Sequence, residues 1–141
     1  MNDSRTAVEK LHYIGKINLD IYRCVSEDIR TDEVIITDTQ IAHIVERRGQ
    51  EFYEKFRGFF GSILADPDYI FRDSNPNTAI VCKMFSEHGK SINIILRLAV
   101  GGDNPAFKNS ILTVIGENTK RFEQRLRNNF PVYDKKLDKT E

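Results

Sequence analysis

The chain has 141 residues, 40% of them apolar and 30% charged, and its 21 basic residues balance 21 acidic ones to a formal net charge of zero. This is the composition of one globular domain, with enough chain to bury a core without staples. It excludes nucleic-acid binding by bulk charge, so any phosphate recognition requires a local cluster of cations.

The opening MNDSRTAVEKLHYIGK lacks the apolar segment of a secretory signal, and residues 1–12 read as a peripheral lead-in. In YIGKINLDIYRCV (13–25), two apolar runs flank Asn18 and Asp20, which suggests a β-hairpin. EVIIT (33–37) is rich in β-branched residues and reads as a strand. Asp38 then serves as the N-cap of a helix whose apolar stripe is Ile41, Ile44 and Val45, with His43 and Arg47 on the opposite side. Gly49 ends or bends that helix, and a second helix over about 50–64 carries Phe52, Phe56, Phe59, Phe60, Ile63 and Leu64 on one stripe. Pro67 stops it, because proline disfavours helix at the residue before it. From there the apolar period changes to two, and residues 69–73, 78–87, 91–100 and 110–117 read as consecutive strands joined by SNPN, HGK and GGDNPAFKN. Short links between successive strands predict antiparallel pairing. A last helix covers 119–128, and the tail over 131–141 looks loose and peripheral. The expectation is a single α+β domain over residues 1–141, with helices packed on a mainly antiparallel, twisted sheet of about four strands and an N-terminal β-hairpin.

No stretch approaches the roughly 18–20 apolar residues of a membrane helix, so no membrane partner is expected. Cys24 and Cys82 lie in strand-like apolar stretches without metal spacing. They read as reduced core residues of a cytoplasmic protein, with a single disulfide as the open alternative.

In the strand over 91–100, Ile92, Ile94, Leu96 and Leu98 form the apolar face, while Ser91, Asn93 and Arg97 point the other way. In the strand before it Ile80, Cys82 and Met84 look inward and Lys83 outward. A three-residue loop, His88-Gly89-Lys90, matches these faces and sets Lys83 opposite Ile95 and Val81 opposite Arg97. Lys83 and Arg97 then become diagonal neighbours, roughly 7–8 Å apart, on an open face. Two cations so placed repel unless an anion lies between them, which makes that face a candidate phosphate site.

His43 and Arg47 share a helix face at i, i+4. Histidine passes protons near neutrality, and arginine clamps phosphate through two parallel hydrogen bonds. The plain alternative is a solvated helix face; for Lys83 and Arg97 it is a pair of surface charges on a half-wet sheet. Arg48 reads as cover for apolar surface. The polar turn SNPNTA (74–79) and the loop GGDNPAFKNSI (101–111), with Asn104, Lys108, Asn109 and Ser110, are either ordinary connectors or phosphate-facing loops. The side to which Thr113 points is open. Walker spacing, H-E-x-x-H, paired cysteines at zinc spacing and G-x-S-x-G are all absent. His12 and His88 show no carboxylate or cysteine cluster nearby in sequence, so neither a metal nor another cofactor is expected, with Asp66 and Asp68 the residual candidates. Lys120, Arg121, Arg125 and Arg127 on the last helix either track a nucleic-acid backbone or form a solvated face.

Taken in order, VIITDTQIAHIVERRG, ILADPDYIFRDSNPNTAIVCK, IILRL and DNPAFKNSILTV resemble the phage-associated nuclease domain of the barnase–EndoU–colicin–RelE (BECR) fold group, across about residues 14–130. The resemblance implies helices packed on an antiparallel sheet of about four strands and a metal-independent endoribonuclease, in many members a toxin that cuts transfer RNA. The positions that match are His43, Arg47, Asn77, Lys83, Arg97, Asn109 and Ser110. The family's helix motif often continues with a histidine after the arginine; Arg48 stands there, which speaks against a two-histidine acid–base pair.

The expected reaction is attack of an RNA 2′-hydroxyl on its own 3′-phosphate, giving a 2′,3′-cyclic phosphate. The catalytic set would be His43 for proton transfer, Lys83 and Arg97 for the phosphate oxygens, and Ser110 or Thr113 for a further hydrogen bond. Arg47, Asn77, Lys108 and Asn109 would bind substrate, and an inhibitor or immunity protein is an expected partner. The rival is a non-catalytic protein-binding or phage-structural module of the same fold, in which Lys83 and Arg97 pair with carboxylates such as Glu123 or Asp103. A third reading is an immunity-like protein that mimics a toxin.

Overall fold

A computed structural model describes residues 9–137; residues 1–8 of the lead-in and 138–141 of the tail lie outside the described residues. Its elements in chain order are β1 (Leu11–Lys16), α1 (Leu19–Tyr22), β2 (Glu33–Thr37), α2 (Asp38–Arg48), α3 (Gln50–Phe56), a 3-10 turn (Arg57–Phe59) and α4 (Phe60–Ala65). β3 (Tyr69–Arg72), β4 (Thr78–Phe85), a second 3-10 turn (Ser86–His88), β5 (Lys90–Arg97), β6 (Asn109–Asn118), α5 (Thr119–Asn128) and β7 (Tyr133–Asp134) follow.

The strands form one seven-stranded sheet in the order β1-β2-β6-β5-β4-β3-β7. β2 and β6 run parallel, and every other neighbouring pair is antiparallel. This corrects the expectation of a four-stranded, mainly antiparallel sheet: the sheet is mixed and gains β1 and β2 at one edge and β7 at the other. The added strands are short, and β7 has only two residues, too few for an alternating pattern.

An N-terminal antiparallel pair is present, but its second arm is β2 rather than the stretch after Asp20. Asn18 instead caps a helical turn, its Oδ1 accepting from Asp20 N at 3.0 Å. The turn buries Tyr22, whose hydroxyl donates to Leu64 O at 2.7 Å. The N-cap of α2 is Thr37, whose Oγ1 accepts from Gln40 N at 3.2 Å, and Asp38 is the first helical residue. There the carboxylate suits the positive end of the helix. Gly49 ends α2 with a φ of 100°, which only glycine adopts without strain. The second expected helix is interrupted by the 3-10 turn, so Phe59 falls off the buried stripe and is 43% exposed, packing edge-on against Phe85.

Both faces of the sheet are covered. On one, Ile44, Phe56, Phe60, Ile63 and Leu64 from the helices pack against Val34, Ile36, Val81, Ile92, Ile94, Leu96 and Val114. On the other, Phe122 of α5 packs on Phe71 and Cys82, flanked by Tyr69, Ile80, Met84 and Leu126. Each large side chain buried in this way contributes roughly 1.5–3 kcal/mol. Cys24 and Cys82 are unbridged. Among the described residues no helix is long and apolar enough to cross a membrane.

With both faces covered, the β4–β5 register differs from the expected one. Lys83 lies opposite Ile92, Val81 opposite Ile94 and Thr78 opposite Arg97, with Gly89 closing the turn at a left-handed φ of 63°. The expected pairs, Lys83 with Ile95 and Val81 with Arg97, are not formed. Facing residues project to the same side and successive residues to opposite sides. Lys83 therefore shares the α2–α4 face with Val81 and Ile92, while Arg97 shares the α5 face with Thr78.

Candidate functional site

α2 leaves β2 directly, and β2 contacts β6 only at Val34–Asn109 and Ile35–Ser110. Beyond that point α2 runs beside β6, and Arg48 Nε donates to Val114 O at 3.1 Å. Between the helix and the strand lies a groove of about 490 Å³ bordered by Thr39, Gln40, His43, Arg47, Arg48 and Thr113, with no carboxylate among its lining residues. His43 and Arg47 are exposed, as their i, i+4 spacing predicts. Thr113 is half-buried, and its hydroxyl is shielded from water with no hydrogen-bond partner among the described residues. Three basic side chains border this concave surface, and one acid stands at its edge: Glu9 Oε2 accepts from the N of Thr39 at 2.8 Å. The structure thus brings His43, Arg47 and Thr113 together.

A second group of predicted residues gathers where β6 begins. Ile95 faces Thr113 and Leu96 faces Ile111, so Leu112 is the extra residue of a bulge, and Arg97 faces Ser110. Thr113, Ser110 and Arg97 consequently occupy the same side of the sheet. Arg97 is not a free cation. Its guanidinium meets both carboxylate oxygens of Asp103 at 3.0 and 3.1 Å, donates to Leu98 O, and lies 5.3 Å over the ring of Phe107. The hydrogen bond from Arg97 is the main reason the Asp103 carboxyl is held below its ordinary value, with a further bond from Val100 N.

The other expected substrate contacts have internal partners. Asn109 is fully buried: its Nδ2 donates to Thr31 O at 2.7 Å and Glu33 O at 2.9 Å, and its Oδ1 accepts from Ala99 N at 2.8 Å. Asn77 adopts a left-handed φ of 55°, accepts from Ser26 Oγ at 2.7 Å, and its carbonyl accepts from Leu98 N at 2.8 Å. Lys108 forms an ion pair with Glu33.

Lys83 lies apart from both groups, across the sheet from Arg97. Its Nζ donates to Asp66 O at 2.7 Å and pairs with Asp66 at 3.4 Å and Asp68 at 3.5 Å. Lys135 joins Asp66 at 2.9 Å, and its hydrogen bond is the first cause of the lowered Asp66 pKa. The anticipated pairing of Lys83 and Arg97 around one phosphate is therefore absent.

Arg48 was read as cover and proves to border the basic groove; its position next to Arg47 was the available signal. His12, which showed no nearby carboxylate in sequence, bonds to Asp38 Oδ1 at 2.6 Å across the β1–β2 pair. The described residues contain no group of three or more His, Cys, Asp or Glu side chains placed to hold a metal ion. Comparison with protein-family models, curated proteins and solved structures gives no match.

Proposed function

We propose that the α2–β6 groove binds the phosphate backbone of RNA and that the chain is a metal-independent endoribonuclease acting in the cytoplasm. The observation that carries this reading is the groove itself: one imidazole and two guanidinium groups, with no carboxylate lining it. In this narrower form of the expected mechanism Lys83 has no part. His43 accepts the proton of the 2′-hydroxyl as the 2′-oxygen bonds to phosphorus, and returns it to the 5′-oxygen as the phosphorus–5′-oxygen bond breaks. Arg47 and Arg48 hold the non-bridging oxygens and stabilise the charge that builds on the phosphorane. The products are a 2′,3′-cyclic phosphate and a 5′-hydroxyl. DNA, lacking the attacking group, is left intact. An inhibitor for such an enzyme would present carboxylates to the same groove.

Incubation with RNA in the presence of a chelator, followed by end mapping, tests the proposal. Cyclic-phosphate ends should accumulate, and His43→Ala should slow their formation by about 10²–10⁴-fold, the usual scale of general acid–base catalysis. A His43→Ala protein that cuts at the wild-type rate removes the assignment.

The second reading, a non-catalytic binding module, is favoured by the ion pairs of Arg97 with Asp103 and of Lys83 with Asp66 and Asp68. Those cations are already compensated within the chain. In the same assay this reading predicts no new ends.

A further inference from the structure

A larger groove lies elsewhere. It has a volume of about 930 Å³ and runs between α1, the end of α5 and the segment entering β7. Ile21, Tyr69, Leu126 and Val132 supply apolar walls. Phe130 borders it and is 97% exposed, and Leu137, also on its border, is 77% exposed. An aromatic ring left this open presents on the order of 200 Å² to water beside a groove able to take it.

We infer that this surface is the interface of a two-fold symmetric dimer, in which Phe130 of each copy enters the groove of the other. A protrusion and a receptor contiguous on one patch are what an isologous contact requires, because the two-fold axis presents each to its complement. A different protein would cover both features only if it carried its own receptor for Phe130 and its own apolar protrusion at the same spacing; a second copy has both by symmetry. The charges agree. Asp20 and Asp134 border the groove; Asp20 is already paired with Arg23 at 2.8 Å, and Asp134 meets no cation in an ion pair among the described residues. Arg127, next to Leu126, and Lys136, next to Leu137, meet no acid among the described residues. A second copy can thus supply a cation to Asp134, the groove carboxylate left without one. A formal net charge of zero removes the long-range repulsion that keeps charged chains apart. The two rings, the two leucines and the walls they meet bury on the order of 1,200 Å² in total, the lower bound for specific interfaces, so the dimer is a reversible one.

Sedimentation velocity of the full chain, from micromolar to submillimolar concentration, tests the inference. The wild type should pass from monomer to dimer across that range. Phe130→Asp and the uncharged Phe130→Ser should each raise the dissociation constant at least about tenfold, equivalent to about 1.4 kcal/mol. Their melting temperatures should match the wild type, because a side chain this exposed contributes little packing. A wild type that remains monomeric throughout, including one that captures some other protein at this groove, overturns the inference. So does a dimer indifferent to both substitutions.

Discussion

Asp103 and Glu117 each grip an arginine through both carboxylate oxygens, but in different surroundings. The Arg97–Asp103 pair ties the end of β5 to the 101–108 loop, and Arg97 becomes available to a phosphate only if Asp103 lets go. The Glu117–Arg125 pair lies deeper, with Glu117 only 10% exposed at its side chain. Arg125 donates to Glu117 at 2.8 and 3.2 Å, and Asn93 Nδ2 donates to the same carboxylate at 2.8 Å. Burial pushes the Glu117 pKa up, but the bonds and charge of Arg125 and the Asn93 amide outweigh it, and the net shift is downward. A lowered folded-state pKa means that the carboxylate's contribution is present above its unfolded value, about 4.3, and is lost as pH falls through the lower folded value. Glu117→Gln should therefore cost about 1–3 kcal/mol near pH 7, since it leaves a partly buried guanidinium without its counter-charge. It should also flatten the loss of stability just below pH ~4.3. Denaturant midpoints measured on both sides of that window check both effects; a variant with the wild-type slope would show that the pair does not govern the acid limb.

At the scale of elements, the junction that matters most is the parallel contact of β2 with β6, since it sets α2 beside β6 and so creates the basic groove. Only Val34–Asn109 and Ile35–Ser110 pair across it, and the Asn109 amide adds the bonds to Thr31, Glu33 and Ala99. Asn109→Ala removes three hydrogen bonds and leaves a backbone N–H and two carbonyls to find other partners. The expected loss is about 2–3 kcal/mol in the denaturant midpoint with an unchanged m-value. Anion binding at the groove should weaken with it, whereas Lys108→Ala, which breaks only a surface pair, should cost under about 1 kcal/mol. The same junction shows what could be read in advance. The strands β3 to β6, α2 and α5 were legible, because β-branched alternation and helical stripes are local signals. The His43–Arg47 face was legible for the same reason. The pairing of β1 with β2 across α1 was not, because Asn18 directs the chain into a helical turn that the apolar runs conceal. The Lys83–Arg97 geometry failed on a single assumption, that one face of the sheet was wet. With Phe122 covering Cys82 and Ile80, β4 is apolar on both sides, and alternation no longer says which side faces the larger core. The register that places Lys83 beside Ile92 is then as acceptable to the sequence as the one expected.

At the scale of the whole molecule, charge balance makes a quantitative demand on the proposed RNA contact. With 21 residues of each sign the protein has no monopole field to gather a polyanion, so affinity must come from the groove alone. Binding single-stranded RNA releases about 0.7 counterions per phosphate neutralised. The two arginines, Arg47 and Arg48, give a slope of about −1.4 for the logarithm of the binding constant against that of salt concentration. Arg47→Ala should reduce its magnitude by about 0.7. Fluorescence anisotropy with a short labelled RNA, titrated at several salt concentrations, separates these outcomes. A slope well beyond −3 would require further cations on the contact surface, and Lys120, Arg121 and Arg127 on α5 are the group large enough to supply them. A slope near zero would mean that the groove does not hold phosphate, and the nuclease reading would fall with it.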